Sequence, residues 1–487
     1  MFLLLLLSYV LPATSLKVTQ TCSGYDCLKA YVEKEDPAYT WEDTGHRLVV
    51  EDYEGRGGWT GYFLNMTSQQ WLTPEDTSQP YWWHIMVVVV PDQVEVQDTA
   101  MMWLTDGNNN QDFQPDLSDY NLLVAGDMAT ATKMATAAVF QIPNQWIVYA
   151  DDPSQAHRSE DGSIAWTWLH FLNDPTSDAE YLLRMPMTKA GVKAMDTMEA
   201  FLTSETSPPE IQELGLHPTQ FIVAGASKRG WTTWTVGAID PRVIAIVPVV
   251  MDELNFVENI KHHYRSYGGW SFALDDYWKL NLTLYFDSPK MQEMFDIIDP
   301  YEYRDKLIMP KLVCNSADDE FFLPDNTRYW WHDMPMEYEM NKFITMPNAE
   351  HATIPGTLEL LPAVNTWVKQ ILRANNILKK RYGGTRPEVK TIEERNTASV
   401  ELMSVAHIPR FNWTIDSTTG DITVQSDTVP KSVHLWRATT CNDARRDFRL
   451  VNNDDPCDCG LAVMDYCINL SILWSSLQLE ETSPGND

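Results

Sequence analysis

Residues 218–250 read PTQFIVAGASKRGWTTWTVGAIDPRVIAIVPVV. The apolar run 221–224 has the length of a buried strand and ends at Gly225. A turn through Ala226, Ser227, Lys228, Arg229 and Gly230 leads into Trp231-Thr232-Thr233-Trp234, the start of a helix that stops near Asp240-Pro241. A second apolar run, 243–250, supplies the next strand. Strand, tight turn with a serine at its tip, helix and parallel strand make up the nucleophile elbow of α/β-hydrolases. Glycine two residues before the serine leaves out a Cβ for which so sharp a turn has no room. The hydroxyl then stands at the C-terminal edge of the sheet, and the backbone N–H groups after it open a helix, where negative charge is favoured. The usual pattern is Gly-x-Ser-x-Gly; here Arg229 stands two residues after Ser227 and the glycine comes one later. A Gly-x-Ser turn also occurs in α/β proteins without a catalytic serine, so the residues downstream decide.

A serine hydroxyl is a weak nucleophile near neutral pH. It needs a base within hydrogen-bond reach, and the base needs an orienting acid. On a doubly wound sheet these sit on loops after later strands, in the chain order Ser, Asp, His. Asp318 and Asp319 follow the strand-like stretch 311–315, and His351 follows 342–346, just before a closing helix at 358–374. Asp319 is preferred to Asp318 and Asp325 as the acid, and His351 is the one of eleven histidines at the right strand end. The expected oxyanion hole is the backbone N–H of Lys228 with a second donor near Gly107-Asn108, after a strand at 99–104. Lys228 and Arg229 read either as a seat for an anionic substrate group or as braces of the elbow held by acidic partners. An insertion at 251–300 is rich in Tyr, Trp and His and falls where hydrolases of this class carry a lid. His262, His263, Tyr264, Tyr267 and Trp270, with Arg229, are expected to shape a cleft. The two histidines are adjacent and do not share one helix face, so no metal site is read there. No dinucleotide or phosphate-binding glycine pattern occurs, so no cofactor is expected.

At 487 residues, 44% hydrophobic and 11% aromatic, the chain has material for a domain of roughly 300 residues or more and a smaller one. A net charge of −32 argues against nucleic acid and anionic membrane surfaces as partners. The N-terminus, MFLLLLLSYVLPATSLKV, has a leucine-rich run and small residues, Ala13 and Ser15, placed as in a cleavage site. Residues 1–15 therefore read as a secretory signal peptide. No later stretch is long and apolar enough to span a membrane, so no insertion into one is expected. Sequons at Asn65, Asn281, Asn412 and Asn469 predict glycosylation in a eukaryotic secretory route. Of seven cysteines, Cys22 and Cys27 are near enough to close a local disulfide, and Cys441, Cys457, Cys459 and Cys467 cluster near the C-terminus. Cys457 and Cys459 are too close in sequence to bond each other, which leaves two pairings. Four cysteines are also a zinc-ligand set; secretion favours disulfides. Cys314, inside an apolar strand, is expected to be a buried free thiol.

Ahead of the elbow, 16–80 reads as an aromatic N-terminal cover with short strands at 48–50 and 59–64. Strands are expected at 81–90 and 99–104, a helix at 123–136, strand material at 137–141 and 145–149, and an amphipathic helix at 188–203. Alternation of strand and helix continues to residue 378. The expected architecture is an α/β-hydrolase domain over 16–378, with a doubly wound, mostly parallel sheet and the lid-like insertion. A basic, turn-rich linker is read at 379–390. From 391 to 487, short alternating segments such as 398–406, 422–425 and 432–438 predict a small β-rich, sandwich-like domain. Its last stretch starts a strand and stops, so either this domain reads as short of its final strands or the chain reads as truncated.

The blocks GASKRGWTTW, DPRVIAIVPVVMDELN, YGGWSFALDDY, DDEFFLPDNTRYWW and PNAEH, in that order, resemble the PhoPQ-activated pathogenicity-related protein family, which also includes secreted, autocrine proliferation repressor-like proteins. The resemblance covers most of the chain. It implies an α/β-hydrolase fold and carries Ser227, Asp319 and His351 onto the expected triad; it leaves the substrate open. The Ser-Lys-Arg-Gly turn is also similar to the Ser-Arg-x-Gly turn of glucuronoyl esterases, where the residue two after serine is likewise not glycine. Two function classes follow. One is a secreted serine hydrolase, of esterase or peptidase type, acting by acyl-enzyme chemistry on a small-molecule or peptide substrate. The other is a secreted signalling protein on a hydrolase scaffold that engages a cell-surface receptor, its triad vestigial or dispensable.

Overall fold

Nine strands join in one sheet: β1 (Thr40–Val50), β2 (Trp59–Gln70), β3 (Tyr81–Pro91), β4 (Val96–Leu104), β5 (Met134–Val139), β6 (Gln220–Ala226), β7 (Val243–Val249), β8 (Leu312–Ser316) and β9 (Lys342–Met346). Their order is β1-β2-β3-β5-β4-β6-β7-β8-β9. The pairs β1–β2, β2–β3 and β3–β5 are antiparallel; the six strands from β5 to β9 across the sheet are parallel. This computed structural model describes residues 22–52, 55, 57–110, 113–176, 178–335, 341–441, 443–453, 457 and 459–479. The expected signal peptide lies outside them.

Eleven helices are described: α1 (Tyr25–Glu33), α2 (Tyr120–Thr132), α3 (Glu160–Asn173), α4 (Arg184–Thr203), α5 (Pro209–Leu214), α6 (Lys228–Ile239), α7 (Phe256–Tyr267), α8 (Asp275–Lys279), α9 (Pro289–Ile298), α10 (Thr357–Arg381) and α11 (Ile392–Val405). β7 is buried along its whole length and β6 along nearly all of it, which is why both read as unbroken apolar runs rather than alternating ones. On one face Met101, Ile222, Ala224 and Val247 pack with Val124 of α2 and Val364 of α10. On the other, Met102, Val223 and Ile246 pack with α4 and α6 through Met195 and Trp234. The helices that follow the neighbouring strands β4 and β6 thus leave to opposite faces. That switch opens a crevice at the C-terminal ends of the two strands.

Several elements differ from the sequence reading. The N-terminal stretch is not a cover: β1 and β2 are long strands of the main sheet. Their polar residues hid them, because β1 is an edge strand with mostly exposed side chains. α2 begins earlier than expected, where the Asp119 carboxylate accepts from the N–H groups of Asn121 and Leu122. Residues 145–149 form isolated bridges rather than a strand. α10 runs on to Arg381, into the expected linker. The stretch 398–406, read as a strand, is the second half of α11, whose buried Ile392, Arg395, Ser399, Leu402 and Met403 follow a helical period.

Beyond α11 come β10 (Phe411–Ile415), β11 (Ile422–Ser426), β12 (His434–Arg437), β13 (Val451–Asn452), β14 (Leu461–Val463), β15 (Tyr466–Ile468) and β16 (Ser475–Gln478). They form three small antiparallel sheets, β10-β11, β12-β16 and β13-β15-β14. β10 and β11 are exposed along their whole length, so they are not inner faces of a two-layer core. Disulfides join Cys22–Cys27, Cys441–Cys459 and Cys457–Cys467, and Cys314 is free and buried. No group of three or more metal-ligating side chains is gathered among the described residues. No helix among them is long and apolar enough to cross a membrane. Asn65, Asn281 and Asn412 are exposed. Asn469 differs from them: it is 4% exposed, and its side-chain oxygen accepts from the backbone and hydroxyl of Ser471.

Candidate active site

Ser227 joins β6 to α6 with φ 56° and ψ −121°, a backbone conformation L-residues rarely adopt. Its N–H donates to Val249 O at 2.9 Å, and its carbonyl accepts from Trp231 N–H at 3.0 Å, so both flanks are fixed. A Cβ on Gly225 would lie 2.7 Å from Arg229 O. A Cβ on Gly230 would lie 2.7 Å from Met251 Cβ and 2.9 Å from Val249 O. The glycine displaced by one position therefore serves the close approach of α6 to the end of β7.

Arg229 is only 6% exposed. Its guanidinium forms a two-pronged pair with Glu160, Nη1 lying 2.8 Å from Oε2, and Nε donates to Ile142 O. Lys228 Nζ lies 2.7 Å from Asp161 Oδ2 and 3.6 Å from Glu160 Oε2. Burial alone would raise the Glu160 carboxyl, but the Arg229 and Lys228 charges outweigh it and hold it at about 2. Lys228 and Arg229 thus brace the elbow, one of the two roles open from sequence. Their partners Glu160 and Asp161 start α3, and the sequence reading passed them over. The available signal was an acidic pair after Ser159 at the head of an apolar helix.

His351 follows β9. Its Nε2 lies 2.7 Å from Ser227 Oγ, and its Nδ1 lies 2.8 Å from Asp319 Oδ2. Asp319, 2% exposed, follows β8 and is aimed by the N–H groups of Phe321 and Phe322, which donate to its Oδ1 at 2.7 and 3.1 Å. Burial pushes the His351 imidazole down, but the charge and hydrogen bond of Asp319 more than offset that, and the net shift is upward. Other acids crowd this pocket. Burial, and then the charge of Asp319, raises Glu320 to about 7, and the Glu320 carboxylate accepts from the backbone N–H of His351. Asp252 and Glu253, buried just past β7, are pushed well above the carboxylate range by burial first and neighbouring acids second. Asp318 turns away: its Oδ1 accepts from Trp474 Nε1 at 2.7 Å, and burial raises it to about 7. Asp325 faces His262 and Arg446.

A cavity of about 230 Å³ opens beside Ser227 and His351. Thr105 and Asp106 line it, rather than the expected Gly107-Asn108. Those two lie just beyond, their carbonyls held by the side chains of Gln145 and Gln141. Of the expected cleft residues only Arg229 lines the cavity. His263 is fully buried, its ring bound to Phe321 O and Ser271 N–H, and burial lowers it to about 3. His262 bonds Asp325, Tyr267 is buried, and Tyr264 packs on Trp270. These residues hold the insertion together and seat it beside the acid loop. The insertion reaches the elbow elsewhere, where Tyr277 OH donates to Asp161 at 2.8 Å.

Residues 28–379 match the family described as PhoPQ-activated pathogenicity-related protein. Autocrine proliferation repressor protein A of Dictyostelium discoideum is 33% identical over 465 residues, 94% of this chain and 81% of that protein. Acetyl xylan esterases of Paenibacillus sp. R4 and Thermoanaerobacterium sp. JW/SL YS485 are similar in structure at TM-scores of 0.43 and 0.41, with 13% and 14% identity, over 70% of this chain and 92% and 94% of theirs. A glucuronoyl esterase from Solibacter usitatus has a TM-score of 0.39 at 12% identity, over 70% of this chain and 91% of its own.

Proposed function

We propose that this chain, which belongs to the PhoPQ-activated pathogenicity-related protein family, is a secreted serine hydrolase of esterase or peptidase type. The observation that carries the reading is the hydrogen-bonded line Ser227–His351–Asp319, with the serine on a strained turn at the head of α6. Ser227 Oγ attacks the substrate carbonyl carbon as His351 Nε2 takes its proton, and Asp319 stabilises the imidazolium. In this reading the oxyanion is met by the backbone N–H of Lys228, in the first turn of α6 where N–H groups have no intrahelical acceptor, with a second donor from the loop after β4. His351 returns the proton to the leaving group. Water, activated by the same imidazole, then releases the acyl group from Ser227. Three disulfides support a secretory route.

A fluorophosphonate probe tests this directly. Wild-type protein becomes labelled, whereas Ser227→Ala and His351→Ala do not; folded wild type that resists the probe overturns the assignment. The name of the Dictyostelium relative favours a second reading, a secreted signal restraining proliferation through a receptor. Under it, Ser227→Ala protein keeps the full effect on cell growth; under the first, it loses it.

A further inference from the structure

We propose that the groove over the open end of the β1-β2-β3 face is the seat of this chain's own Asn65 glycan, whose first N-acetylglucosamine lies on Trp83. The inference rests on the secretory part of the reading above and is independent of the triad. Strand pairing puts the parts on one face. Glu42 and Ile85 stand directly opposite Asn65, and Thr40 and Trp83 stand directly opposite Thr67. Farther along the same face, Phe63 and Val87 are covered by Leu122 and Ala125 of α2. Toward Trp83 the face opens. Thr40, Glu42 and Asn65 are exposed and Trp83 is half-buried. A groove of about 510 Å³ lies over them, with the exposed Gln114 also on its wall. A sheet face beside a layered core is ordinarily covered, and here the cover has to come from something other than α2.

The chemistry of the groove suits a sugar, and the chain supplies the point of attachment. Asn65-Met66-Thr67 is a sequon, and Asn65 Nδ2 donates to Glu42 Oε1 at 3.2 Å. Glycosylation joins Nδ2 to C1 of the first sugar: the lipid pyrophosphate of the donor leaves, and Nδ2 gives up one of its two protons. The proton that stays keeps a donor for Glu42, which holds the amide over the sheet. Transfer to the nascent chain precedes folding, so the position inside β2 is no bar. The face of an indole ring is negative. The axial C–H groups of a β-linked N-acetylglucosamine carry the opposite partial charge and lie flat on such a ring. Thr40 and Gln114 supply donors and acceptors for its hydroxyls and N-acetyl group. The volume falls within the range of small-ligand sites, about 300–1,000 Å³. One aromatic ring and a few exposed polar groups hold a free saccharide weakly. A tethered sugar is present at an effective concentration of about millimolar, which favours the chain's own glycan over a soluble one.

The test uses the whole chain secreted from eukaryotic cells and treated, while native, with a glycan-releasing amidase. Release turns Asn into Asp, and mass spectrometry reads it site by site. Asn412, on the fully exposed β10, is the internal reference. The amidase needs the undocked glycan, so its rate falls with the undocked fraction, and the Asn65 glycan is expected to leave about tenfold or more slowly than that of Asn412. In denatured protein the two leave equally fast. Trp83→Thr removes the platform and should restore most of the lost rate; Trp83→Phe, which keeps an aromatic face, should restore much less. Three results overturn the docked glycan and leave the secreted hydrolase standing: an Asn65 glycan released as fast as that of Asn412, a rate unmoved by Trp83→Thr in folded protein, or a bare Asn65 beside glycosylated Asn281 and Asn412. The wild-type ratio decides even where Trp83→Thr fails to fold. Protein that stays in the cell without any glycan sinks the secretory reading and this inference with it.

Discussion

Replacing Glu160 by Gln tests what holds the elbow in place. The change keeps the side chain's size and removes its charge, leaving the buried Arg229 guanidinium without its counter-ion and Lys228 with Asp161 alone. Breaking one partner of a buried pair costs about 3–5 kcal/mol. The Glu160 side chain is 31% exposed, so water screens part of the loss, and the lower figure, about 3 kcal/mol, applies. Unfolding entropy of about 2.1 cal/mol/K per residue over a domain of roughly 380 residues converts this to a drop of about 4 °C in Tm. The assay is differential scanning calorimetry of wild type, Glu160→Gln, Arg229→Met and the double variant. Arg229→Met with Glu160→Gln should regain part of the loss, because it removes the stranded charge. Activity toward a short ester should fall in Glu160→Gln as well, since Arg229 adjoins the strained Ser227 turn. A Glu160→Gln protein melting within about 1 °C of wild type, with unchanged activity, refutes the bracing role.

Three further outcomes follow from the titrating groups and the surface. The base must be neutral to take the Ser227 proton, and His351 is shifted upward from 6.5, so kcat/KM should fall as pH drops through a value above 6.5. Asp319→Asn leaves burial as the main influence, so that limb should move to lower pH while kcat drops by about 10⁴; a limb that stays put argues against His351 as the base. Burial raises Asp318, Glu320 and Asp299, the residue that ends α9, to about 7, so the native state holds protons that the unfolded state has already released. Stability should therefore decline as pH rises from about 4 toward 7, and Asp318→Asn should flatten the trend in a thermal-shift series. Glycopeptide mass spectrometry of the protein secreted from eukaryotic cells should find glycans at Asn65, Asn281 and Asn412 and none at Asn469.

What the sequence disclosed and what it hid divide along the range of the interactions involved. The elbow is legible because a tight strand-to-helix turn restricts residue types locally: Gly225 and Gly230 stand where a Cβ would strike backbone or Met251. α11 was also open to local reading. Thr391 accepts from the Glu394 N–H, and the Glu394 carboxylate reaches back to the Lys390 N–H, a helix start written in Thr391-Ile-Glu-Glu394 that the alternating residues after it obscured. The choice among Asp318, Asp319 and Asp325 is of another kind. All three lie within one loop, and each is chemically fit to orient a histidine. Asp319 is aimed by its own loop, through the N–H groups of Phe321 and Phe322. Asp318 is turned aside by Trp474, 156 residues on, and Asp325 is engaged by Arg446, 121 residues on. The β-rich C-terminal part therefore packs directly on the acid loop, where Leu450 N–H also donates to Asp318 O at 3.0 Å. Trp474→Phe should then do more than loosen a distal segment. It frees the Asp318 carboxyl beside Asp319 and puts a second acid in competition for His351, an effect to be read in the acid limb of the pH–rate profile rather than in Tm.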